Sequence, residues 1–453
     1  MFDTATIIGA GLAGSEAALS CARMGLAVTL HEMRPHRETG VHRTDGFAEL
    51  VCSNSLKGTR ADSAAGMIKH ELDVLHSPLY RIACATSIPA GGALAVDRER
   101  FSDAVTRAIE EHPLITVVRE EVRSLRELSE DAGAIILATG PLTSDALAAE
   151  LCEMYGEEEL AFFDAAAPIV MRDSLDESIV FRQSRYEEAG DGDYLNAPMD
   201  EAEYAAFIEA LLEAERVVAK DFESKDLFQA CQPVEEVARA GFDAPRFGAM
   251  KPVGLIDPRS GKRPHAVVQL RAEDAEGTSY NLVGFQTNLT FPAQRRVFSM
   301  IPGLEQAEFA RFGVMHRNTF LNAPKILDVT GASRASSTSG APIHVAGQLS
   351  GTEGYCEAIR SGLNCAISVI ARAKGAPLPE LPPETAFGAL MRHATDPATT
   401  QYQPMHVNFG VMPPLDPPIK NKRMRYAAFA ERGDRALGSY AAALERAGIW
   451  STS

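Results

Sequence analysis

Two of the seven cysteines in this 453-residue chain lie in polar segments, where a thiol could react. They are Cys52, in the string ELVCSNSL, and Cys231, in the string FQACQPVE. A thiolate is a strong nucleophile and a good leaving group, so either could add to an electron-poor carbon and later depart. A lone cysteine is more often a small buried apolar residue, and local sequence by itself favours that interpretation for both. The other cysteines lie on helices predicted to be buried or have no supporting context: Cys21, Cys84, Cys152, Cys356 and Cys365.

Basic clusters are the second informative feature, because the chain as a whole carries a formal net charge of −17. An acidic protein repels a phosphate backbone on average, so binding to nucleic acid requires a local basic patch. The stronger candidate, next to an aromatic side chain, is formed by Lys420, Lys422, Arg423 and Arg425. A second candidate is formed by Arg259, Lys262, Arg263 and His265. Either could be an ordinary solvated face.

The element that must position this chemistry begins near the N-terminus, where a strand runs into the turn Gly9-Ala10-Gly11-Leu12-Ala13-Gly14. In a strand–turn–helix of this form, the first glycine permits the tight turn and the second lets backbone approach a pyrophosphate. The third glycine allows close packing of helix on strand. Glu32, 23 residues after Gly9, is placed to hold a ribose hydroxyl. The segment therefore predicts a dinucleotide-binding βαβ unit.

Two later segments predict that the dinucleotide is FAD rather than NAD. An apolar strand at residues 134–138 ends at Thr139 and Gly140, a pattern typical of flavoproteins with two dinucleotide-binding-type segments. After residue 343 a short strand breaks at glycine, and a second glycine-rich turn opens a helix whose first N–H groups could bind an anion. The candidate cofactor residues in this turn are Gly347, Gln348, Gly351, Glu353 and Gly354.

The order of these segments predicts an α/β fold with a discontinuous, Rossmann-like FAD-binding domain and an inserted α+β domain. A chain of this length is too long for one ordinary core. We place the first FAD-binding segment at residues 1–160, the insertion (substrate) domain at 161–325, and the second segment with a helical C-terminal region at 326–453. Within the insertion, Asp200 and Glu203 predict a capping box, and residues 266–271 and 280–287 predict two strands.

Composition narrows the class and the compartment. The 45% hydrophobic and 23% charged content is that of a soluble globular protein, and no run of 18 apolar residues predicts a membrane span. The fingerprint starts at residue 6, which leaves no room for a signal peptide. No C-x-x-C pair occurs, so the odd, scattered cysteines predict reduced thiols in a cytoplasm, without a metal site.

Over nearly its whole length, the chain resembles the folate- and FAD-dependent tRNA uracil-5-methyltransferase family. Long, ordered strings carry this resemblance, and together they are more specific than a single motif. Before residue 200 they are IGAGLAGSEAA, FAELVCSNSL, PAGGALAVDR, ATGPL and FDAAAPIV. After it they are MKPVGL, GFQT, GVMHRNT and AGQLSGTEG. The related glucose-inhibited-division-type flavoproteins resemble the nucleotide-binding segments rather than the string FAELVCSNSL.

That resemblance implies a flavoprotein methyltransferase of tRNA processing, which methylates carbon 5 of the T-loop uridine to give 5-methyluridine. In such an enzyme, 5,10-methylenetetrahydrofolate supplies the carbon, and FAD reduced by NAD(P)H supplies the hydride. No second nucleotide fingerprint occurs, so the nicotinamide is expected to visit the flavin transiently. The expected partners are tRNA and folate.

The resemblance also assigns expected roles to single residues. By motif position, Cys231 matches the nucleophile that adds to uracil carbon 6, and Cys52 matches a flavin-site partner or proton acceptor; the roles could be exchanged. Ala197 stands where the family commonly has a cysteine, so a third thiol is not required here. His70, on a helix predicted at residues 62–75, could stack on a pterin ring, although a surface histidine is equally consistent with the sequence.

Three other functions stay open on the sequence. The same chemistry could act on a ribosomal RNA uridine. A flavin-dependent oxidoreductase of a small metabolite would suit the acidic charge, and an RNA-binding protein could hold FAD as a structural group.

Overall fold

A computed structural model describes residues 2–39, 41–128, 133–156, 161–165, 167–187, 192–217, 232–274, 276–313, 315–336, 340–399, 402 and 404–451. Its strands, in chain order, are β1 (Thr4–Ile8), β2 (Ala27–His31), β3 (Ser55–Gly58), β4 (Ser87–Ile88), β5 (Ala93–Val96), β6 (Ile115–Val118), β7 (Ile135–Leu137), β8 (Ala161–Ala165), β9 (Ile169–Met171), β10 (Phe181–Arg182), β11 (Tyr194–Met199), β12 (Ala266–Ala272), β13 (Ser279–Leu282), β14 (Phe309–Arg311), β15 (Met315–Thr319), β16 (Ala332–Ser336) and β17 (Pro342–Val345).

Its helices, in chain order, are α1 (Leu12–Arg23), α2 (Ala64–Val74), α3 (Pro78–Ala85), α4 (Arg98–Glu110), α5 (Asp145–Tyr155), α6 (Glu201–Glu213), α7 (Val234–Ala240), α8 (Phe291–Phe298), α9 (Ala323–Ile326), α10 (Tyr355–Lys374), α11 (Ala386–Ala394) and α12 (Lys422–Arg446). Within the described ranges, no helix is both long and apolar enough to cross a bilayer.

The first sheet is built from both ends of the chain, in the order β16-β17-β7-β1-β2-β6. The pairs β1–β2, β1–β7, β2–β6 and β17–β7 are parallel, with Ile343 beside Ile135 in the last of them. Helix α1 packs against α10, so the helix after the first glycine turn lies on the helix after the second. The predicted discontinuous Rossmann-like fold is confirmed.

The second sheet is antiparallel and has the order β10-β11-β12-β13-β9-β14. Alternate residues of its strands face a core that also contains α6, α7 and α8. The capping box predicted at the start of α6 is present, because Asp200 accepts the Glu203 N–H and the Glu203 side chain accepts the Asp200 N–H. This sheet with its helices is the inserted α+β unit.

One predicted strand is shorter than expected. The sequence predicts a strand over residues 280–287, but β13 ends at Leu282. Gly284 has a φ of +78°, and a side chain there would come 2.7 Å from the Ala249 side chain. A left-handed residue in this close contact breaks the extended backbone, so the chain turns toward Gln286, whose carbonyl accepts the Val234 N–H at the start of α7.

Candidate functional site

A cleft opens at the carboxyl ends of strands in the first sheet and encloses about 1200 Å³, including the solvent at its mouth. Such an edge of an open α/β sheet is where ligands bind. The cleft is lined from both ends of the chain, by segments that follow β1, β2, β7 and β17. Its place in the fold suits an extended dinucleotide.

The first glycine turn has the geometry that a pyrophosphate site requires. Gly9 has a φ of +95°, and a side chain at Gly14 would come 1.8 Å from the Gly9 carbonyl oxygen. Gly11 differs from both, because a Cβ there would meet no atom within 4 Å. Gly11 lines the cleft, so its missing side chain leaves space in the cleft rather than in the protein core.

Glu32 lies at the end of β2 and is held in place by two neighbours. One carboxylate oxygen accepts the Ala10 N–H at 3.0 Å, and the other accepts the backbone N–H and the Nε of Arg34 at 3.1 and 3.0 Å. Burial raises the pKa of Glu32, but the Arg34 charge and these hydrogen bonds outweigh burial and hold the pKa below its ordinary value. A carboxylate has about four acceptor positions, so one remains for a ribose hydroxyl.

The second glycine turn closes the cleft from the other side. The Gly347 N–H donates to Ser361 Oγ at 2.6 Å, and Gln348 donates to the Glu353 carboxylate at 2.6 Å. Gly354 has a φ of +116° directly before α10, and Gly354, Tyr355 and Ala358 line the cleft, so the N-terminus of that helix lies at the cleft. Two buried atoms of the cleft lining, His31 Nδ1 and Ser144 Oγ, have no hydrogen-bond partner among the described residues. These features fit a polar ligand in the cleft.

Most of the cofactor candidates line this cleft: Gly9, Gly11, Leu12, Ala13, Glu32, Thr139, Gly140, Gly347, Gln348, Glu353 and Gly354. The other three candidates, Ala10, Gly14 and Gly351, are not among the lining residues but contact residues close to the cleft. The Ala10 N–H binds Glu32, Gly14 packs under Gly9, and Gly351 turns against the ring of Tyr402.

The sequence did not single out several lining residues, among them Arg34, His42, Glu49, Val122, Ser144 and Tyr355. The concentration of histidine and arginine between Met33 and Ser55 was a usable signal for Arg34 and His42.

The Cys52 loop, defined here as residues 50–54, adjoins the cleft through Tyr355. Val51 and Tyr355 both line the cleft, and the Tyr355 hydroxyl accepts the backbone N–H groups of Cys52 and Ser53 at 3.0 and 3.1 Å. Burial, followed by the nearby Cys52 thiol, raises the pKa of Tyr355. The phenol therefore stays neutral and can keep both N–H groups as an acceptor.

Three arginines from distant parts of the chain converge on the same loop. Arg311 donates to the carbonyls of Val51 and Cys52 at 2.7 and 3.0 Å. Arg98 donates to the Leu50 carbonyl and pairs with the buried Glu273. Arg271 donates to Ser53 Oγ at 2.6 Å and to Asn54 at 2.8 Å.

This cluster of three arginines and one glutamate places an excess positive charge beside the Cys52 loop. Burial, and then repulsion from Arg98, lowers the pKa of Arg311 to about 10, so it stays charged at neutral pH. Burial opposes the charge of Arg98, but the Glu273 carboxylate prevails and raises the pKa of Arg98. A thiolate or another anion at this loop would be stabilised by these fixed charges.

The remaining cysteines have different settings. Cys231 lies outside the described residues, and the chain resumes at Gln232 directly after it. Cys21, Cys356 and Cys365 are buried, and burial raises the pKa of Cys21 and Cys356 to about 12. These thiols are therefore core residues, as predicted. Ala197 is buried in β11 and faces the insertion core.

His70 lies on the outer side of α2 rather than in the cleft. Its Nε2 is 2.7 Å from Asp434 of α12, and about half of the side chain is exposed. The described structure does not bring His70 to the cleft lining. A contact between His70 and folate stays a prediction.

The basic strip of Lys420, Lys422, Arg423 and Arg425 lies at the start of α12. Lys422 and Arg425 lie 5.5 and 5.8 Å from the ring of Tyr426, which stacks on Phe409 at 4.1 Å. The first turn of α12 contains no acidic residue. Cations at a helix N-terminus oppose the helix dipole, so these charges do not serve helix stability.

The second basic group lines a separate surface hollow on the insertion unit. Arg259 pairs with Asp257, while Lys262, Arg263 and His265 lie along the same hollow. Among the described residues, no group of three or more His, Cys, Asp or Glu side chains could hold a metal ion.

Comparison with known proteins agrees with this architecture. The family described as glucose inhibited division protein A matches residues 4–377. A solved structure of Aquifex aeolicus GidA in crystal form I aligns with a TM-score of 0.70 and 16% identity, covering 100% of this chain and 77% of that one. At this identity the alignment shows a shared fold.

Curated relatives match over almost the full length. The chain is 52% identical over 439 residues to the methylenetetrahydrofolate–tRNA-(uracil-5-)-methyltransferase TrmFO of Symbiobacterium thermophilum, covering 96% of each chain. It is 53% identical over 427 residues to the protein of the same name from Geotalea uraniireducens, covering 94% of this chain and 96% of the relative. The chain therefore belongs to the methylenetetrahydrofolate–tRNA-(uracil-5-)-methyltransferase family, within the wider group described as glucose inhibited division protein A.

Proposed function

We propose that this protein methylates carbon 5 of the T-loop uridine in tRNA, using 5,10-methylenetetrahydrofolate as carbon donor and FAD, reduced by NAD(P)H, as hydride source. The observation that carries the proposal is the junction between the cleft and the Cys52 loop, where Tyr355 belongs to both. Full-length relatives at about half identity are named for this reaction. The reduced thiols suit the cytoplasm as the place of action.

The cleft residues would hold FAD by its two ends and its centre. Gly11 and the start of α1 suit the pyrophosphate, Glu32 suits a ribose hydroxyl, and the turn from Gly347 to Gly354 suits the other end of the cofactor. When bound, reduced FAD supplies the hydride that takes the transferred carbon from the formaldehyde level to a methyl group. The protein residues would orient the reactants and exclude water.

In this proposal Cys231 activates the uracil and Cys52 serves the flavin side. The Cys231 thiolate would add to carbon 6, which makes carbon 5 nucleophilic toward the one-carbon unit. A base would then remove the proton from carbon 5 as tetrahydrofolate leaves the transferred carbon, and the thiolate would leave carbon 6 as the hydride adds to that carbon. Cys52, in its loop beside the arginine cluster, is our candidate for that base or for a flavin-site partner; the two thiols could exchange roles.

For the RNA, we propose that residues 161–325 form the substrate domain and that the strip at the start of α12 binds phosphates. The strip is exposed, lacks acidic neighbours in its own helical turn, and lies beside a stacked pair of aromatic rings. Helix N-terminal N–H groups would add to its attraction for an anion. The second basic group, at Arg259, Lys262 and Arg263, is the alternative site.

The decisive experiment combines purified protein, an unmodified tRNA transcript, methylenetetrahydrofolate labelled on its methylene carbon, and NAD(P)H. We expect label in 5-methyluridine after digestion of the RNA, at the T-loop position. Label only in a ribosomal RNA fragment would redirect the proposal to that substrate. Oxidation of NAD(P)H coupled to a small metabolite, with no labelled RNA, would contradict it in favour of a metabolite oxidoreductase. Bound FAD and RNA without any turnover would instead leave a binding protein.

A further inference from the structure

An exposed tyrosine with a strained backbone, Tyr186, lies in the segment between β10 and β11 of the insertion unit. Tyr186 has a φ of +69°, a left-handed backbone conformation that a bulky side chain rarely adopts. Its side chain is 79% exposed, so burial of the ring does not compensate for this strain. Strained residues of this kind cluster at sites where ligands bind. A functional reason for the position of this ring is therefore worth seeking.

The Tyr186 ring packs against a glycine, and a backbone hydrogen bond holds the residue in place. A Cβ placed on Gly254 would lie 3.0 to 3.2 Å from three atoms of the Tyr186 ring, so the ring covers the Gly254 backbone directly. The Tyr186 N–H also donates to the Gly254 carbonyl at 2.8 Å. The ring is thus supported by the protein on one side, and most of it is exposed to a partner.

A cation is anchored beside this ring. Arg185 donates to the Val253 carbonyl at 2.7 Å and twice to Gln269 Oε1, at 3.1 and 2.8 Å. Burial lowers the pKa of Arg185, and the nearby Tyr186 and Tyr194 act in the opposite direction. A tyrosine ring next to a fixed guanidinium group resembles the platforms on which unpaired RNA bases stack.

Arg185, the residue before the tyrosine, contacts the same face of β12 as the Cys52 loop. Gln269 and Arg271 are two residues apart in β12 and therefore share a face. Arg271 reaches Ser53 and Asn54 beside Cys52, while Gln269 holds Arg185 beside Tyr186. The opposite face of β12 packs into the insertion core. Two polar side chains on one face of β12 thus contact the Cys52 loop and the residue directly before the tyrosine.

We propose that Tyr186, supported by Gly254 and flanked by Arg185, stacks on an unpaired nucleobase of the RNA near the target uridine. This inference rests on the proposed function and adds a base-binding site to it. The ring does not line the flavin cleft, and an open outer surface suits a polymer better than a folate ring that must reach the flavin. The nearby hollow with Lys262 and Arg263 could hold the phosphates of the same strand.

The test compares Tyr186→Asn with Tyr186→Phe in the flavin-loaded enzyme. Asparagine tolerates a left-handed backbone and removes the ring, while phenylalanine keeps the ring and removes only the hydroxyl. With a fluorescein-labelled, unmodified tRNA transcript, we expect Tyr186→Asn to raise the Kd about tenfold or more, as loss of one stacked base does. Tyr186→Phe should bind nearly as wild type. The KM for tRNA should rise in parallel, with kcat at saturating tRNA and the KM for folate unchanged.

A second measurement needs no variant. Irradiation of wild-type enzyme with tRNA containing 5-iodouridine in the T loop should cross-link Tyr186, which peptide mass spectrometry identifies. Unchanged tRNA affinity in Tyr186→Asn together with no cross-link at Tyr186 would overturn the inference. So would a rise in the KM for folate alone, which would assign the ring to the folate. Wild-type enzyme that binds no tRNA would overturn the proposed function itself, and the two failures are thereby distinguished.

Discussion

The Tyr355 hydroxyl accepts the backbone N–H of Cys52 at 3.0 Å, across 303 residues of sequence. Tyr355 is the first residue of α10 and lines the cleft, so one side chain links the cleft to the Cys52 loop. A change on either side of this hydrogen bond should therefore affect the other. The predictions below separate cofactor binding, loop position, covalent chemistry, RNA binding and stability.

Replacement of Gly11 by leucine should abolish FAD binding without unfolding the protein. The new side chain would enter the cleft, where a Cβ meets no protein atom within 4 Å. Gly438 is a matched control, since a Cβ there also meets nothing within 4 Å but the residue lies on exposed α12. The flavin absorbance of purified Gly11→Leu and Gly438→Leu measures the effect. Full flavin occupancy in Gly11→Leu would contradict this placement of the cofactor.

Replacement of Arg311 by lysine should slow turnover while FAD stays bound. Arg311 binds the Val51 and Cys52 carbonyls with two nitrogens, and a single ammonium group cannot reproduce this fork. A small displacement of a reactive group costs between about tenfold and a hundredfold in rate, so we expect kcat to fall by that amount. Arg172→Lys, at an exposed pair with Glu177, is the control and should keep wild-type kcat. Equal kcat values for Arg311→Lys and Arg172→Lys would show that Arg311 does not position the Cys52 loop.

The two cysteines should differ in a trapping experiment with tRNA that contains 5-fluorouridine. Fluorine at carbon 5 cannot leave as a proton does, so a thiolate adduct at carbon 6 should accumulate as a covalent protein–RNA complex. We expect Cys231→Ala to lose both the complex and methylation while keeping its flavin spectrum. We expect Cys52→Ala to stop turnover and alter the flavin spectrum, with trapping retained.

Denaturing gels and flavin spectra of the two variants measure these outcomes. Loss of the trapped complex only in Cys52→Ala would exchange the roles. A complex that persists in both variants would contradict cysteine addition altogether. Cys84→Ala, at an exposed thiol that is not among the described cleft-lining residues, serves as the control.

Removal of two charges from the strip, as Lys422→Ala with Arg423→Ala, should weaken tRNA binding and flatten its dependence on salt. Each lost phosphate contact lowers the slope of log K against log salt by roughly 1. Arg435→Ala with Arg446→Ala removes the same charge from the same helix and should change the slope less. Binding titrations at several salt concentrations give the slopes. An unchanged slope would move the phosphate site to Arg259, Lys262 and Arg263.

The pH dependence of stability should contain a contribution from Glu16. Burial raises the pKa of Glu16 to about 7 from an ordinary 4.5, against hydrogen bonds from the Leu79 N–H and the Ser77 hydroxyl. The folded state therefore holds a proton that the unfolded state releases. Its stabilising contribution is fully present below about pH 4.5 and is lost as the pH rises through about 7.

Glu16→Gln should remove this dependence, because glutamine stays neutral at every pH. Relative to the variant, wild type should lose on the order of 1–3 kcal/mol of unfolding free energy between pH 5 and pH 8. Urea unfolding of both proteins at the two pH values measures the difference. Parallel curves for the two proteins would show that Glu16 keeps its ordinary pKa.

The sequence predicts the local geometry well, because local patterns specify it. The glycine turn at Gly9, the position of Glu32 and the capping box at Asp200 depend on residues close together in the chain. The contacts around Cys52 do not depend on neighbours in the chain. Arg311 lies 259 residues after Cys52, and Tyr355 lies 303 residues after Cys52. The hydrophobic periodicity of the sequence does not predict contacts between residues so far apart in the chain. They arise only in the folded chain, which brings β14 and the start of α10 to the Cys52 loop.

The end of β13 at Leu282 shows that a local pattern can also predict too much structure. The residues after it favour extended backbone, yet Gly284 has a left-handed conformation because a neighbour, Ala249, leaves no room for a side chain. Tertiary packing overrides local preference at that point. The same holds for Tyr186, whose strain is invisible in the sequence.

The parallel pairing of Ile135 with Ile343 has a consequence for synthesis on the ribosome. Strand β7 emerges about two hundred residues before β17, so its edge has no partner from β17 while the whole insertion unit is translated. An unpaired strand edge invites association with other chains. The insertion unit, with its own core, can fold during this interval, whereas the cleft is completed only when the last quarter of the chain arrives. Acquisition of the yellow cofactor should thus be a late event that marks a fully translated chain.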